Sequence, residues 1–167
     1  MDEITEVSLK YAGDKKDFGK GFYVTSSVNQ AISFAKKKRD LKLSSESGFC
    51  GMAFVYSFNL NTEEIGALNV LNLSLNMVEW FNYVCVNRYY PKYSDNYDIV
   101  IGKVADSQTS KIITDFMLKY SLKAKDDIKR VYIAKLKPER LVDQYCFKSN
   151  KAVDLLNKGE IRRRTIR

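Results

Sequence analysis

The sequence predicts one α+β domain that spans residues 1–167. The chain has 167 residues, a length that fits one ordinary domain and is too short for two. Hydrophobic residues make up 45% of it and charged residues 29%, the balance of a globular protein. Predicted strands and helices are mixed without a regular strand–helix–strand repeat, which favours α+β over a doubly wound parallel sheet.

The first predicted elements are a strand, a helix and a second strand. Residues 21–25 follow a glycine-containing loop and are predicted to form the first strand. Ser27 is the expected N-cap of the helix, with Gln30 three residues later as its capping-box partner. The basic run at 36–39 suits the C-terminus of this helix. Residues 52–60 alternate between apolar and other side chains and predict the next strand.

The middle of the chain is predicted to hold a turn, two strands and a helix. Residues 61–66 are interpreted as a turn and residues 67–73 as a strand. Asn76 and Glu79 have the spacing of a second capping box, which opens a helix. Residues 97–102 predict a short strand.

The last third of the chain alternates again between helices and strands. Apolar residues recur at helical spacing over 112–120 and over 128–136. A strand is predicted over 142–148 and a short helix over 152–156. The tail from residue 160 is expected to form a last strand.

The residue counts exclude several classes of chemistry. The chain has no histidine, which excludes Ser-His-Asp and Cys-His catalysis, histidine metal sites and an imidazole base. Cys50, Cys85 and Cys146 are odd in number and widely spaced, which favours reduced, buried thiols and a cytoplasmic location. We find neither a signal-peptide pattern nor a membrane-length apolar stretch, and we expect no metal and no membrane partner.

The net charge of +8 leaves two interpretations open. A basic surface favours polyanions such as nucleic acid, nucleotide phosphates or an acidic protein. A solvated lysine-rich surface is the alternative, because the basic residues are spread along the sequence rather than collected in one motif. For the arginines at 162–164, contact with a polyanion and a frayed, solvated tail are the two interpretations, beside the last strand expected from residue 160.

The segment DFGKGFYVT at 17–25 is the densest candidate site. Gly19 and Gly21 would let the backbone approach a ligand closely, and Tyr23 could supply a stacking surface with a hydroxyl group. The alternative is a tight turn that leads into an ordinary core strand.

Three further polar residues have a functional and a plain interpretation. Asp106 follows the predicted strand at 97–102, either as a ligand at the end of a sheet or as a helix cap. Arg88 is either a solvated charge or a clamp for a phosphate or carboxylate. Gln144 lies within a strand-like run and is unremarkable without its context.

Several of these segments together resemble a known protein family. The segment DFGKGFYVT at 17–25, Asn87-Arg88, YDIVIGKVAD at 97–106 and QYCFK at 144–148 occur in the order found in a bacterial family of unknown function. That family falls in the ADP-ribosyltransferase-like group, which is distantly similar to DNA-targeting ADP-ribosyltransferase toxins. The resemblance covers nearly the whole chain, and its first and third segments are the specific ones.

The resemblance implies a split, two-sheet β core with flanking helices that holds NAD in a cleft. Such a domain transfers ADP-ribose from NAD to a protein or nucleic acid, in some cases as a toxin with a cognate antitoxin or neighbour protein. Tyr23 would stack on nicotinamide, with Gly19, Gly21 and Phe22 shaping the same site. Gln144 would occupy the usual position of the catalytic glutamate. Arg88 and Asp106 would contact phosphate and ribose.

Two departures from the family pattern affect the expected activity. Related chains begin with a strand carrying Tyr-His-Gly-Ser, so we expect this fold to lack its first strand. An amide at Gln144 cannot act as the carboxylate that polarises the ribose. The prediction therefore covers both an active and a degenerate form of the enzyme. Two non-catalytic alternatives are also open: a polyanion-binding module for nucleic acid, and a protein-partner module.

Overall fold

The described residues form six strands and six helices, and the strands are divided between two sheets. The computed structural model describes residues 4–14, 16–45, 51–90, 92–105 and 107–166. The strands are β1 (Phe22–Thr25), β2 (Ala53–Phe58), β3 (Val70–Asn72), β4 (Ile99–Lys103), β5 (Asp143–Phe147) and β6 (Ile161–Ile166). The helices are α1 (Val28–Ser45), α2 (Thr62–Gly66), α3 (Met77–Tyr89), α4 (Ser107–Lys119), α5 (Asp126–Leu136) and α6 (Asn150–Lys158). Short 3-10 helices cover Leu9–Tyr11 and Pro138–Arg140.

The two sheets are separate and of unequal size. The larger has the strand order β1-β5-β4-β3, and the smaller consists of β2 and β6. In the larger sheet, β5 pairs antiparallel with both β1 and β4, whereas β3 runs parallel to β4. The α+β prediction is confirmed, and the presence of two sheets agrees with the expected division of the strands.

The larger sheet is buried on both faces. Successive residues of a strand point to opposite faces, so Cys146 and Phe147 of β5 belong to different cores. Cys146 packs with a cluster drawn mainly from α3, α4 and α5, which includes Trp80 and Phe116. Phe147 packs with side chains of α6, such as Leu156. Burial on both faces explains why β4 and β5 are rich in apolar residues.

Both predicted N-caps are present at helix starts, but the reciprocal bonds of a capping box are not formed. Gln30 Oε1 has no hydrogen-bond partner, and the Glu79 carboxylate accepts from the side-chain amide of Asn76 rather than from its backbone N–H. The backbone N–H of Gln30 donates to Ser27 Oγ at 3.3 Å, ahead of α1. The backbone N–H of Glu79 donates to Asn76 Oδ1 at 3.2 Å, at the start of α3. Each cap satisfies a backbone donor that the helix itself leaves unpaired. The local sequence therefore determines where these two helices begin.

The end of α1 was wrongly predicted. The helix continues past the basic run at 36–39 to Ser45. Lysine, arginine and leucine all favour helix, so a basic run alone does not stop one. Ser44 Oγ and Ser45 Oγ donate to the carbonyl oxygens of Asp40 and Leu41, both at 2.9 Å. These bonds hold the hydroxyl groups against the last turn of the helix.

The segment after β2 also differs from its prediction. The expected turn at 61–66 contains helix α2, which Asn61 caps by accepting from the N–H of Glu63 at 2.9 Å. The strand expected at 67–73 is shorter, because only Val70–Asn72 pairs with β4. The Asn61 side chain caps a short helix where a turn was expected, and the strand begins only after that helix has ended.

The arginines at 162–164 are not frayed. They belong to β6, where Arg163 pairs with Tyr56 and Arg164 with Val55 of β2. The partner strand lies more than 100 residues earlier in the chain, so nothing local in the tail predicts the pairing. No helix in the described ranges combines the length and the apolar character needed to cross a membrane.

Candidate functional site

The loop before β1 depends on two glycines that contact buried side chains. Gly19 has φ +78°, and a Cβ there would lie 2.5 Å from Asn87 Oδ1. A Cβ at Gly21 would lie 2.3 Å from Cys146 Sγ. Phe18, between Asp17 and Gly19, is fully buried. Close packing therefore requires glycine at both positions, and at Gly19 the backbone conformation requires it as well.

Tyr23 closes this loop from its position on β1. Its hydroxyl accepts from the N–H of Phe18 at 3.0 Å and donates to the carbonyl of Gly19 at 2.7 Å. The two rings of Phe18 and Tyr23 are stacked, with centroids 6.3 Å apart. Burial raises the pKa of the Tyr23 hydroxyl well above its usual range, so the group stays protonated. The hydroxyl is thus bonded within the chain.

A cleft of about 400 Å³ lies between the N-terminal segment and the start of β1. The wall from β1 and its loop is formed by three of the predicted site residues, Gly21, Phe22 and Tyr23. The opposite wall comes from the N-terminal segment and consists of Ile4, Glu6, Val7, Ser8, Tyr11, Ala12 and Gly13. The cleft therefore combines three aromatic rings with one carboxylate, and sequence reasoning missed both Glu6 and Tyr11.

The N-terminal wall of the cleft is tied to distant parts of the fold. The amide group of Asn157 in α6 accepts from the N–H of Val7 at 2.7 Å and donates to its carbonyl at 3.0 Å. The N–H of Ile4 donates to the hydroxyl of Tyr56 in β2 at 3.3 Å. Residues 4–14 contain a 3-10 helix and no strand. These contacts place Glu6 and Tyr11 opposite β1.

Arg88 and Gln144 meet at Asp17. Arg88 Nε donates to Asp17 Oδ1 at 2.9 Å, and its Nη2 donates to the same oxygen. Gln144 Nε2 donates to Asp17 Oδ2 at 3.1 Å, and the N–H of Ala105 donates there at 3.2 Å. Arg88 Nη1 also donates to Ser110 Oγ at 2.7 Å. The carboxylate of Asp17 thus joins the loop to α3, β5 and the end of β4, and Arg88 extends the network to α4.

A second buried ion pair supports the other side of the loop. Lys148 Nζ donates to Asp95 Oδ2 at 2.5 Å and to Tyr83 Oη at 3.0 Å, and Tyr83 Oη donates to Asp95 at 2.7 Å. Burial raises the pKa of the Tyr83 hydroxyl far above its ordinary value. A Cβ at Gly19 would be 3.7 Å from Lys148 Nζ. The glycine loop therefore lies between two buried ion pairs, which hold the cleft wall in place.

The structure separates the predicted site residues into two groups. Gly21, Phe22 and Tyr23 line the cleft, whereas Arg88 and Gln144 belong to the Asp17 network and are not among the described residues that line it. Gly19 lies between the two groups. Asp106 lies outside the described residues. Asp17, which sequence reasoning missed as a site residue, was detectable as the first residue of the DFGKGFYVT motif.

Two thiols lie in the core as predicted. Cys85 and Cys146 are buried and free, and burial raises the pKa of each thiol to about 12. Neither is therefore a thiolate nucleophile near neutral pH. Cys50 lies outside the described residues. Among the residues that the structure describes, no three histidine, cysteine, aspartate or glutamate side chains converge as a metal site.

Comparison with protein-family models identifies a family for this chain. A family model described as "Protein of unknown function (DUF3990)" matches residues 1–157. No curated protein and no solved structure matches the chain. The matched span includes the cleft, the glycine loop and the Asp17 network. The chain therefore belongs to the DUF3990 family.

Proposed function

We propose that this chain is an ADP-ribosyltransferase-like domain that binds NAD in the cleft beside Tyr23. The observation that supports it best is the cleft itself. Gly21, Phe22 and Tyr23, which belong to the motif that carries the family resemblance, form one of its walls. On the same resemblance, the proposal includes a protein or nucleic-acid target in the bacterial cytoplasm and control by an antitoxin or neighbour protein.

The chemistry of the cleft suits the nicotinamide end of NAD. The oxidised nicotinamide ring is flat and carries a positive charge. Aromatic faces attract such a cation, and Tyr11, Phe22 and Tyr23 all line the cleft. The carboxylate of Glu6 adds an opposite charge in the same space.

In the proposed reaction the bond between nicotinamide and ribose C1′ breaks. The bonding electrons leave with nicotinamide, the target nucleophile attacks C1′, and the nucleophile releases its proton to solvent. Positive charge develops on the ribose, and a fixed negative group stabilises it. Glu6 is the cleft residue that can do this, because Gln144 is neutral and is bonded to Asp17. A domain that binds NAD without turnover is the degenerate form of the same proposal.

Calorimetric titration with NAD up to millimolar concentration tests the proposal. Tyr11→Ala is the sharpest variant, because the side chain lines the cleft and is 85% exposed, so its removal leaves the core intact. Loss of one ring–cation contact of about 0.5–2 kcal/mol should weaken NAD binding roughly 2-fold to 30-fold. Tyr90→Ala is the matched control: Tyr90 is 49% exposed, does not line the cleft, and should leave the affinity unchanged.

Two results would count against the proposal. Absence of saturable NAD binding by the wild-type chain would refute the binding step. Equal NAD affinities of Tyr11→Ala and Tyr90→Ala would show that NAD binds outside the cleft. Release of nicotinamide by the wild-type chain, abolished in Glu6→Gln while NAD binding remains, would distinguish the active form from the degenerate one.

A further inference from the structure

Nearly all of the net charge of the chain lies in three elements, α1, β2 and β6, called here the basic module. They contain eight of the 28 lysines and arginines, five in α1 and three in β6. They contain one of the 20 acidic residues, Asp40. The remainder of the chain therefore has 20 basic and 19 acidic residues. The formal charge is +7 for the module and +1 for everything else, out of +8 in total.

The tertiary structure brings the two basic runs together. β6 pairs with β2 along its whole length, and α1 packs against both strands. Lys36 and Arg163, which lie far apart in the sequence, thus belong to one packed unit. The sequence showed two short runs at 36–39 and 162–164, each of them unremarkable alone. The packing of α1 on the smaller sheet makes them one concentration of positive charge.

Most of these cations are accessible and only partly neutralised. The lysines at 36–38 and the arginines at 162–164 are exposed. Arg39 pairs with Asp40, and Arg162 pairs with Glu160, which lies just outside the module. Lys36 and Lys37 form no ion pair within the described residues. The uncompensated charge therefore faces solvent, where it attracts polyanions at long range.

Aromatic rings lie among the basic side chains. Phe34 is 61% exposed on α1, with Lys38 Nζ 5.5 Å from the ring centroid. On β2, the guanidinium carbon of Arg163 lies 5.0 Å from the centroid of Phe54. Proteins that bind single-stranded nucleic acid combine basic side chains for the phosphates with aromatic rings on which bases stack. The exposed ring beside a lysine therefore offers a base-stacking position next to a phosphate contact, the combination that a single-stranded nucleic acid uses.

We propose that the basic module is a nucleic-acid-binding surface that contacts the phosphate backbone through α1 and β6. Phe34 supplies a stacking position between the lysines of α1. The surface involves none of the residues that line the cleft beside Tyr23, so this proposal does not depend on whether the chain binds NAD.

Fluorescence anisotropy with short labelled single-stranded RNA, single-stranded DNA and duplex DNA tests this surface. The affinity of the wild-type chain should fall steeply between about 50 and about 200 mM salt, because each phosphate contact releases a counterion. The triple variant with glutamine at Lys36, Lys37 and Lys38 removes three exposed charges from α1. If all three contact a single strand, the slope of log K against log salt should decrease by about 2. Affinity at the lowest salt should fall at least about tenfold.

The matched control removes the same charge elsewhere. Lys111, Lys123 and Lys125 are exposed and lie outside the module, so their replacement by glutamine should change affinity and salt slope little. Equal weakening by the two triple variants would show a non-specific net-charge effect and overturn the proposal. The absence of binding to all three probes at low salt would also overturn the proposal. A chain that binds vesicles of anionic lipid but none of the three nucleic-acid probes would overturn it as well. The RNA and DNA probes identify which sugar the surface prefers.

Discussion

Replacing Asp17 with asparagine tests how far the fold depends on the network beneath the glycine loop. The carboxylate accepts from Arg88 twice, from Gln144 Nε2 at 3.1 Å and from the N–H of Ala105 at 3.2 Å. The side chains of Asp17 and Arg88 are only 13% and 19% exposed. The substitution keeps the shape of the side chain, removes its charge and turns one acceptor oxygen into a donor.

The expected cost follows from the burial of the pair. Removing one partner of a buried ion pair costs about 3–5 kcal/mol, because the other charge is left without a counter-ion. The partial exposure of both side chains allows some hydration, so we expect the lower end, about 3 kcal/mol. A domain of this size has a total stability of about 5–15 kcal/mol. The midpoint of thermal unfolding should therefore fall by about 6–12 °C.

Urea unfolding followed by tryptophan fluorescence measures this change. The chain has one tryptophan, Trp80, which is fully buried and donates to the carbonyl of Lys103 at 3.0 Å, so its emission reports the core. Asp40→Asn is the control, because the Asp40 side chain is 62% exposed where it pairs with Arg39, and its replacement should change stability by at most about 0.5 kcal/mol. If Asp17→Asn unfolds within about 1 kcal/mol of the wild-type protein, the buried network does not hold the loop.

Three further changes probe the loop and the core. Gly19→Ala should destabilise the protein by at least about 1–3 kcal/mol in urea unfolding, since the position combines positive φ with a Cβ only 2.5 Å from a buried amide oxygen. Gly66→Ala is the control: its added Cβ would meet no atom within 4 Å, so it should be neutral or slightly stabilising. Tyr23→Phe removes two hydrogen bonds and leaves the N–H of the loop unpaired, so the same assay should show a loss of about 1–3 kcal/mol; no loss would mean that water replaces the hydroxyl. Burial raises the pKa of the Cys85 and Cys146 thiols to about 12, so the unfolded state loses these protons at a lower pH than the folded state, and stability should decline as pH rises from about 8.5 to about 10. The double variant Cys85→Ala/Cys146→Ala should flatten that decline. An unchanged pH profile would contradict the raised pKa values.

Local signals in the sequence predicted element starts better than element ends. The caps at Ser27 and Asn76 were read correctly because an N-cap bond joins residues only three apart. The end of α1 at Ser45 and the short helix α2 were missed, since basic runs and polar turn residues are compatible with more than one local structure. β6 was expected as a strand, but its partner β2 was not identified, because strand pairing is non-local.

The candidate site was predictable in part. The GFY segment at 21–23 was recognised, and it forms one wall of the cleft. Glu6 and Tyr11 were not recognised, because no sequence spacing relates the N-terminal segment to β1. Arg88 and Gln144 were recognised individually, but their meeting at Asp17 depends on the packing of α3 and β5 around the loop.

By itself, the sequence determined the α+β composition, the exclusion of histidine chemistry, the two helix caps and the glycines that the loop requires. These features depend on residue types and on contacts between residues a few positions apart, for which a short segment contains all the information. The tertiary structure alone decided which polar groups are bonded to each other, what lies opposite Tyr23, and that α1 and β6 combine their charge. Each of these depends on side chains from elements far apart in sequence, which only the packing of the two sheets and their helices brings within bonding distance.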